Sequence, residues 1–204
     1  APDIDISHIG VESDNLAVRA ARLMMMRYRH ASTGVSVKMC KRIPIGGGLG
    51  GGSADAAAVI RGLNRLWSLG LPLSELVELG AELGSDIPAL IQGGAVLMEG
   101  RGEFITPLFS GINTSECPGV WLVLVNPGVH CSTASVFKRW QPGLTPPPLF
   151  LHTIQSSIRN SDASGLAGVL FNGLQPGVFV DYPAVKAAAE SLRAAGCLNV
   201  LLSG

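Results

Sequence analysis

Apolar residues recur every three or four positions along several stretches of the chain, which is the spacing that places side chains on one face of a helix. The predicted helices run from Ser13-Asp14 to about Tyr28, from Ser53 to Trp67, from Pro72 to Gly84, and over residues 184–195. The faces expected to be buried in the first two are Leu16, Ala20, Leu23 and Met24, and Val59, Ile60, Leu63, Leu66 and Trp67. Ser53 is expected to cap the second helix, and Gly84 to end the third.

Alternating or short continuous apolar runs predict strands elsewhere in the chain. The predicted strands are residues 33–43, a hairpin of residues 95–99 and 103–107 that turns at Gly100-Arg101-Gly102, a central strand over residues 120–125 and a short strand over residues 199–202. The proline-rich residues 140–148 favour a stiff connection, so we expect domains of residues 1–140 and 141–204. Together these elements predict an α+β protein.

Residues 44–56 stand apart from these patterns because six glycines surround a single leucine, Leu49. Glycine loses more conformational entropy on folding than other residues, so a cluster of six needs a reason other than packing. Backbone N–H groups without neighbouring Cβ atoms can close around an anion, and the start of a helix attracts negative charge. The segment predicts a phosphate-binding loop; the alternative is a flexible loop whose glycines serve only its own turn.

Two other glycine-rich phosphate motifs fit this segment less well. A Walker-type loop ends in Gly-Lys-Ser/Thr, whereas here Gly52 is followed directly by Ser53. Residues 46–51 match the G-x-G-x-x-G dinucleotide fingerprint literally, but that fingerprint also requires a second parallel strand and an acidic residue about twenty positions on. In this chain Leu69-Gly70-Leu71-Pro72 and another predicted helix follow instead.

Composition narrows the class of partner to a small molecule. The 204 residues include 15 basic and 15 acidic side chains, so no net charge attracts nucleic acid or an anionic membrane. The apolar run of residues 120–125 is too short to span a bilayer. The four cysteines lack Cys-x-x-Cys spacing and the four histidines lack ligand spacing, which predicts neither a zinc site nor a disulfide framework and favours a reducing, cytoplasmic compartment.

The order Pro44-x-x-x-Gly48-Leu49-Gly50, followed by Ser53-Ala54, resembles the ATP-binding motif of the GHMP kinases, named after galacto-, homoserine, mevalonate and phosphomevalonate kinases. Further matches follow in family order over nearly the whole chain, at residues 14–16, 63–67, 83–88, 100–103 and 126–129, and at Thr133 and Phe137. The triple glycine after Leu49 is similar to the branch that phosphorylates a cytidylated methylerythritol in the non-mevalonate isoprenoid pathway. The alternatives are a sister kinase acting on homoserine or mevalonate, and a nucleotide-binding relic that no longer transfers phosphate.

The resemblance implies a two-domain GHMP-kinase-like fold, with an N-terminal part like domain 2 of ribosomal protein S5 and a ferredoxin-like C-terminal part. Members of the family carry a lysine-bearing strand ahead of the first matched motif and a third glycine motif after the last. Neither motif is found in these 204 residues, so a chain truncated at both ends is expected.

The resemblance also implies ATP and Mg²⁺ as cofactors and the 2-hydroxyl of the cytidylated methylerythritol as acceptor. The ATP-binding residues that it implies are Asn15 and Leu16 on the adenine side, with Pro44, Gly46, Gly47, Gly48, Leu49, Gly50, Gly51, Gly52 and Ser53 along the loop. Asp86 matches the base toward the acceptor hydroxyl, and Thr133 and Phe137 match positions that contact cytidine.

The residues alone leave simpler roles open for several of these positions. Asp86 and Asn15 would serve as helix caps, and Phe137 as a core side chain. Ser53 and Asp55 lie at the start of a predicted helix, where each is either a helix-terminus residue or a ligand of Mg²⁺.

Overall fold

A computed structural model of the chain describes residues 14–28, 35–109, 120–139 and 150–204, apart from the side chains of residues 133 and 134. These ranges are mostly helical and contain one two-stranded sheet, in line with an α+β chain. The chain divides into two units, Ala1–Ser110 and Gly111–Gly204. The predicted connection over residues 140–148 lies outside the described residues, and the domain boundary at residue 140 stays a prediction.

In the first unit, helices come first along the chain and a hairpin comes last. The elements are α1 (Leu16–Tyr28), α2 (Gly51–Leu66), α3 (Leu73–Ala81), α4 (Ile87–Gln92), β1 (Val96–Glu99) and β2 (Phe104–Pro107). The two strands are antiparallel, with Val96 opposite Pro107 and Glu99 opposite Phe104. The first three predicted helices and the predicted hairpin are therefore confirmed in position to within a few residues.

The core of the first unit lies between the inner faces of α1 to α4. Ala20 on α1 and Ala56 on α2 are fully buried, and such small side chains let helices approach closely. Met24 and Ile60 fill the space beside them, as the helical spacing predicts. Leu66 was predicted to be buried but is exposed, because at 3.6 residues per turn it lies about 120° around the helix from Ile60.

Two helix ends differ from the prediction. The N-cap of α2 is Gly50, which has a left-handed φ of 64°, so the helix begins before Ser53. Ser53 is therefore the third residue of α2 rather than its cap. The helix α3 ends at Ala81, and Gly84, whose N–H donates to Gly80 O at 3.2 Å, does not adopt the left-handed backbone of a C-terminal glycine.

Three predicted strands are absent from the described residues. Residues 35–42, 120–125 and 199–202 run without regular secondary structure. A strand takes its hydrogen bonds from a neighbouring segment, and among the described residues the sheet of β1 and β2 is the only one. The side chains of residues 121–125 are exposed as a consequence, and Trp121 is fully so.

The second unit is helical over its described residues. Its elements are α5 (Thr133–Lys138), α6 (Phe150–Arg159), α7 (Ala163–Val169), α8 (Gln175–Asp181) and α9 (Pro183–Ala194). The predicted helix over residues 184–195 is confirmed as α9. None of α5 to α8 was predicted from the sequence. Helices of six or seven residues, such as α5, α7 and α8, make only about two turns and show little periodicity.

Side-chain amides hold the last residues of the chain in place of a strand ladder. Asn172 Nδ2 donates to Leu202 O at 2.9 Å, and Leu202 N donates to Gln175 Oε1 at 2.8 Å. Asn199 Nδ2 donates to Ala167 O at 2.6 Å. Residues 199–202 are thus fixed against α7 and α8 without forming the predicted strand.

Candidate active site

The glycine segment forms an open loop that leads into α2. The loop starts with a tight turn, in which Gly47 N donates to Pro44 O at 3.3 Å. Gly46, Gly48 and Gly50 then have left-handed φ values of 70°, 68° and 64°. Left-handed residues that alternate with other conformations turn successive N–H groups toward one side, which creates a concave anion-binding surface. Most of the loop is exposed, including Leu49, so a ligand can reach it.

An ion pair lies against the point where the loop enters α2. The Lys41 ammonium donates to Asp55 Oδ2, and the Lys41 side chain is only 7% exposed against 27% for Asp55. A Cβ atom on Gly51, the first residue of α2, would lie 3.5 Å from Lys41 Nζ and 2.9 Å from Ile43 Cγ2. The pair therefore joins the segment before the loop to the first turn of the helix after it.

Sequence reasoning missed Lys41, although a signal was present. A lysine three residues before Pro44 interrupts an alternating apolar segment, and a carboxylate follows in the first turn of the next helix. The pairing also changes the interpretation of Asp55. Its carboxylate is engaged by Lys41, which leaves the direct metal role considered above without support.

The start of α1 lies beside the start of α2. A Cβ atom on Gly52 would lie 3.7 Å from Leu16 Cδ1. Asn15 caps α1, because its Oδ1 accepts a hydrogen bond from Ala17 N at 2.9 Å. This cap leaves the Asn15 amide N–H groups as donors. The adenine-side pair implied by the resemblance is thus brought next to the loop.

The helix that carries Asp86 also lies against the loop. A Cβ atom on Gly50 would lie 3.7 Å from Leu90 Cδ1, and Leu90 follows Asp86 by four residues, or about 6 Å along α4. Asp86 occupies the N-cap position of α4, but its side chain makes no capping hydrogen bond and is exposed. The carboxylate is therefore available for another role.

A cavity of about 290 Å³ lies between α2 and α4, next to the end of the loop. It is lined by Ala54, Ala57, Ala58, Arg61 and Leu90. Its volume is at the lower end of the range for ligand pockets. Arg61 supplies the only charge in this lining and donates to Ile91 O at 3.5 Å, which links α2 to α4.

The two residues matched to cytidine contacts belong to the second unit. Thr133 is the first residue of α5, and Phe137 follows one helical turn later. Phe137 is 61% exposed, so it is not the core side chain that the residue type alone suggests. Ser132 N donates to Tyr182 Oη at 3.3 Å, which fixes the start of α5 against the end of α8.

Other classes of site find no support in the part of the chain that the structure describes. In these ranges no three His, Cys, Asp or Glu side chains gather closely enough to hold a metal ion. Cys40, Cys131 and Cys197 are free thiols. The described helices are also too short or too polar to cross a membrane.

Comparison with known proteins points to one group of enzymes. A family model described as the GHMP kinases N terminal domain matches residues 15–94. A protein of Pelotomaculum thermopropionicum named 4-diphosphocytidyl-2-C-methyl-D-erythritol kinase is 39% identical over 94% of this chain and 64% of its own length. A protein of the same name from Gloeobacter violaceus is 38% identical over 98% of this chain and 67% of its own length.

A solved structure agrees with these sequence matches. A crystal structure of 4-(cytidine 5'-diphospho)-2C-methyl-D-erythritol kinase superposes with a TM-score of 0.70 and 28% identity, covering 92% of this chain and 64% of that one. The chain therefore has the fold of that structure over most of its own length. It spans 63–67% of the length of the curated relatives that it matches.

Proposed function

The chain belongs to the GHMP kinase family, and from that premise we propose that the full-length protein transfers the γ-phosphoryl group of ATP to the 2-hydroxyl of 4-diphosphocytidyl-2-C-methyl-D-erythritol. One observation carries this proposal: an open loop with alternating left-handed glycines leads into α2 and packs against the helix that begins at Asp86. The names of the relatives at 38–40% identity support the choice of acceptor.

The loop is proposed to hold the β- and γ-phosphates of ATP through its backbone. Backbone N–H groups at the end of the loop and in the first turn of α2 would donate to the phosphate oxygens, where the dipole of a 16-residue helix adds to their attraction. Asn15 and Leu16 would contact the adenine, because the contact between Leu16 and Gly52 keeps the start of α1 beside the loop. The Lys41–Asp55 pair would hold the loop at its junction with α2.

Asp86 is proposed as the base. Its carboxylate would accept the proton of the acceptor hydroxyl while the hydroxyl oxygen bonds to the γ-phosphorus. The bond from that phosphorus to the β–γ bridging oxygen would break, and its electron pair would leave with ADP. The absence of a capping bond at Asp86 supports this role, because a carboxylate that bonds the helix N–H groups would be a poorer acceptor.

The residues near the loop are compatible with Mg²⁺ bound largely by the nucleotide. Mg²⁺ usually keeps several waters and takes only one or two protein ligands beside phosphate oxygens. Ser53 lies in the first turn of α2, and we assign its hydroxyl as the ligand. The metal would neutralise charge on the phosphates.

The second unit is proposed to recognise the cytidine. The exposed ring of Phe137 offers a stacking face for a base, and Thr133 is placed one turn away on α5. A ferredoxin-like C-terminal domain and an N-terminal domain like domain 2 of ribosomal protein S5 remain part of this proposal.

The full-length protein should be assayed with ATP and three acceptors: the cytidylated methylerythritol, homoserine and mevalonate. The cytidylated acceptor should give the highest kcat/KM. Asp86→Asn should lower kcat by at least about 100-fold with little change in ATP affinity, since asparagine keeps the shape but cannot accept a proton.

Asp162→Asn is the matched control for this substitution. Asp162 also occupies a helix N-cap, but its Oδ1 accepts from Gly165 N at 2.9 Å, a bond that asparagine keeps. This variant should retain normal kcat. A near-normal kcat in Asp86→Asn would remove the proposed base, and faster phosphorylation of homoserine or mevalonate would overturn the assignment of the acceptor.

A further inference from the structure

The turn of the hairpin lies in close contact with the backbone of Ser85, the residue before Asp86. Gly102 is buried in this turn and has a φ of 103°. A Cβ atom at Gly102 would lie 2.3 Å from Ser85 O and 3.0 Å from Ser85 C. Real Cβ atoms essentially never lie within 3.0 Å of another heavy atom, so a side chain at this position would force the Ser85 peptide or the turn itself to shift. Asp86 is the next residue along the chain.

We propose that Gly102 is a positioning residue for Asp86, and that the β1–β2 turn fixes the place of the carboxylate by supporting the Ser85 peptide. The inference rests on the function proposed above. It gives a role to the Gly100-Arg101-Gly102-Glu103 motif, which the phosphate loop and the cytidine contacts leave unexplained.

Hydrogen bonds within the β1–β2 turn fix its conformation. Gly102 N donates to Glu99 O at 3.0 Å, and the Glu103 carboxylate accepts from Arg101 N, so hydrogen bonds hold the turn from both ends. Both strands of the hairpin also contact α4. A shift of the turn would therefore move α4 or its N-cap residue.

Asp86 has little else to hold its carboxylate. Its side chain makes no capping bond, so its position follows from the backbone on either side. On the C-terminal side Ile87 is fully buried in the core and fixes the start of α4. On the N-terminal side, the contact between the Ser85 peptide and Gly102 fixes the backbone in the same way. Misplacing a reacting group by about 1 Å can cost about 100-fold in rate.

The test is Gly102→Ala in the full-length protein, with kcat and ATP affinity measured separately. The added methyl group should move the Ser85 peptide and with it Asp86, so kcat should fall by about 10- to 100-fold. ATP affinity should change by less than about 3-fold, because the nucleotide contacts lie at the loop. Gly196→Ala controls for backbone strain, since Gly196 has a similar positive φ of 91° but has nothing within 4 Å of the Cβ position.

A double-mutant cycle with Asp86→Asn distinguishes positioning from a general structural effect. If Gly102 acts through Asp86, Gly102→Ala should cost almost nothing further in the Asp86→Asn background. Equal losses in both backgrounds, or a loss no larger than that of Gly196→Ala, would overturn the inference and leave the proposed base intact. A near-normal kcat in Asp86→Asn itself would overturn the proposed base and this inference together.

A second variant covers the case in which Gly102→Ala does not fold. Glu103→Ala removes the acceptor of the Arg101 N–H group and loosens the same turn without inserting an atom against Ser85. Glu103 is exposed, so the variant should fold. Its kcat should fall by about 3- to 10-fold at unchanged ATP affinity, and an unchanged kcat would overturn the inference.

Discussion

Two glycine turns of the first unit use the absence of a side chain for opposite purposes. In the loop of residues 46–50, the space beside Gly50 is open, and a Cβ atom there would meet Leu90 at an ordinary distance of 3.7 Å. At Gly102 the corresponding space is already filled by the Ser85 peptide. The first turn leaves room for a ligand, whereas the second lets one part of the protein approach another. Substitutions should therefore damage binding at the first turn and the placement of the base at the second.

The most severe test of this contrast is Gly50→Val. A β-branched residue cannot easily adopt the left-handed φ of 64°, so the loop should lose the conformation that presents its N–H groups. ATP affinity should fall by at least about 100-fold, since hydrogen bonds to a charged group contribute about 1.5–3 kcal/mol each and more than one would be lost. Calorimetric titration with ATP measures the effect.

Gly62→Ala is the matched control for the loop substitution. Gly62 lies inside α2, and nothing lies within 4 Å of its Cβ position. Alanine there should leave ATP affinity unchanged and stabilise the helix by about 0.5–1 kcal/mol. Unchanged ATP affinity in a folded Gly50→Val protein would contradict a ligand role for the open turn.

The next prediction concerns the ion pair that lies where the open turn joins α2. Asp55→Ala would leave the buried Lys41 ammonium without a partner and should lower the free energy of unfolding by about 3 kcal/mol. Lys41→Met removes the buried charge itself and leaves the partly hydrated Asp55, so it should cost only about 1 kcal/mol. Urea unfolding measures both.

An exposed ion pair provides the reference for this test. Arg27 and Glu82 lie 2.6 Å apart with side chains 51% and 45% exposed, so Glu82→Ala should cost less than about 0.5 kcal/mol. If Lys41→Met destabilised the protein as much as Asp55→Ala does, the buried charge would not be the source of the effect.

The smallest expected effect concerns a contact remote from the glycine loop. Tyr28 lies twelve residues after Leu16, or about 18 Å along α1, and its hydroxyl donates to Glu75 Oε1 at 2.7 Å. Burial and this hydrogen bond raise the pKa of Tyr28 to about 12. Because the unfolded pKa is about 10, the contribution of Tyr28 is complete below pH 10 and is lost as the pH rises toward 12.

Urea unfolding of the native protein and of Tyr28→Phe between pH 8 and 12 measures this contribution. The difference in stability between them should be about 1 kcal/mol at pH 8 and should shrink above pH 10. ATP affinity should be the same in both proteins at pH 8. A difference that stays constant to pH 12 would show that the hydroxyl is not protected by Glu75.

Local sequence patterns correctly predict the elements whose backbone hydrogen bonds form within one short segment of the chain. The spacing of Ala20 and Met24, and of Ile60 and Leu63, correctly indicates α1 and α2, because a helix bonds within itself and only its face depends on neighbours. Two glycines in the turn likewise indicate the hairpin. The strands predicted at residues 33–43 and 120–125 are not formed in their described parts, because an apolar pattern says nothing about where a partner segment lies.

In the candidate site, too, local motifs predict some features, whereas others depend on contacts between distant segments. The loop and the N-cap position of Asp86 follow from short motifs, and the structure has both where the sequence indicates them. Lys41 and Asp55 are 14 positions apart, so their contact depends on the path of the loop between them. The contact of Gly102 with Ser85 depends on how the hairpin folds back on α4. Neither of these two contacts can therefore be predicted from the sequence alone.

The exposed run of residues 120–125 makes the protein prone to aggregate while it folds. Its β-branched and aromatic side chains, and its backbone groups, which pair with no strand of the described residues, have the character of an aggregation-prone segment. While nothing covers it, a second molecule can pair with it edge to edge. Yield in the test tube should therefore depend on concentration and on how quickly Trp121 and its neighbours are covered, and less on the stability of the helical core.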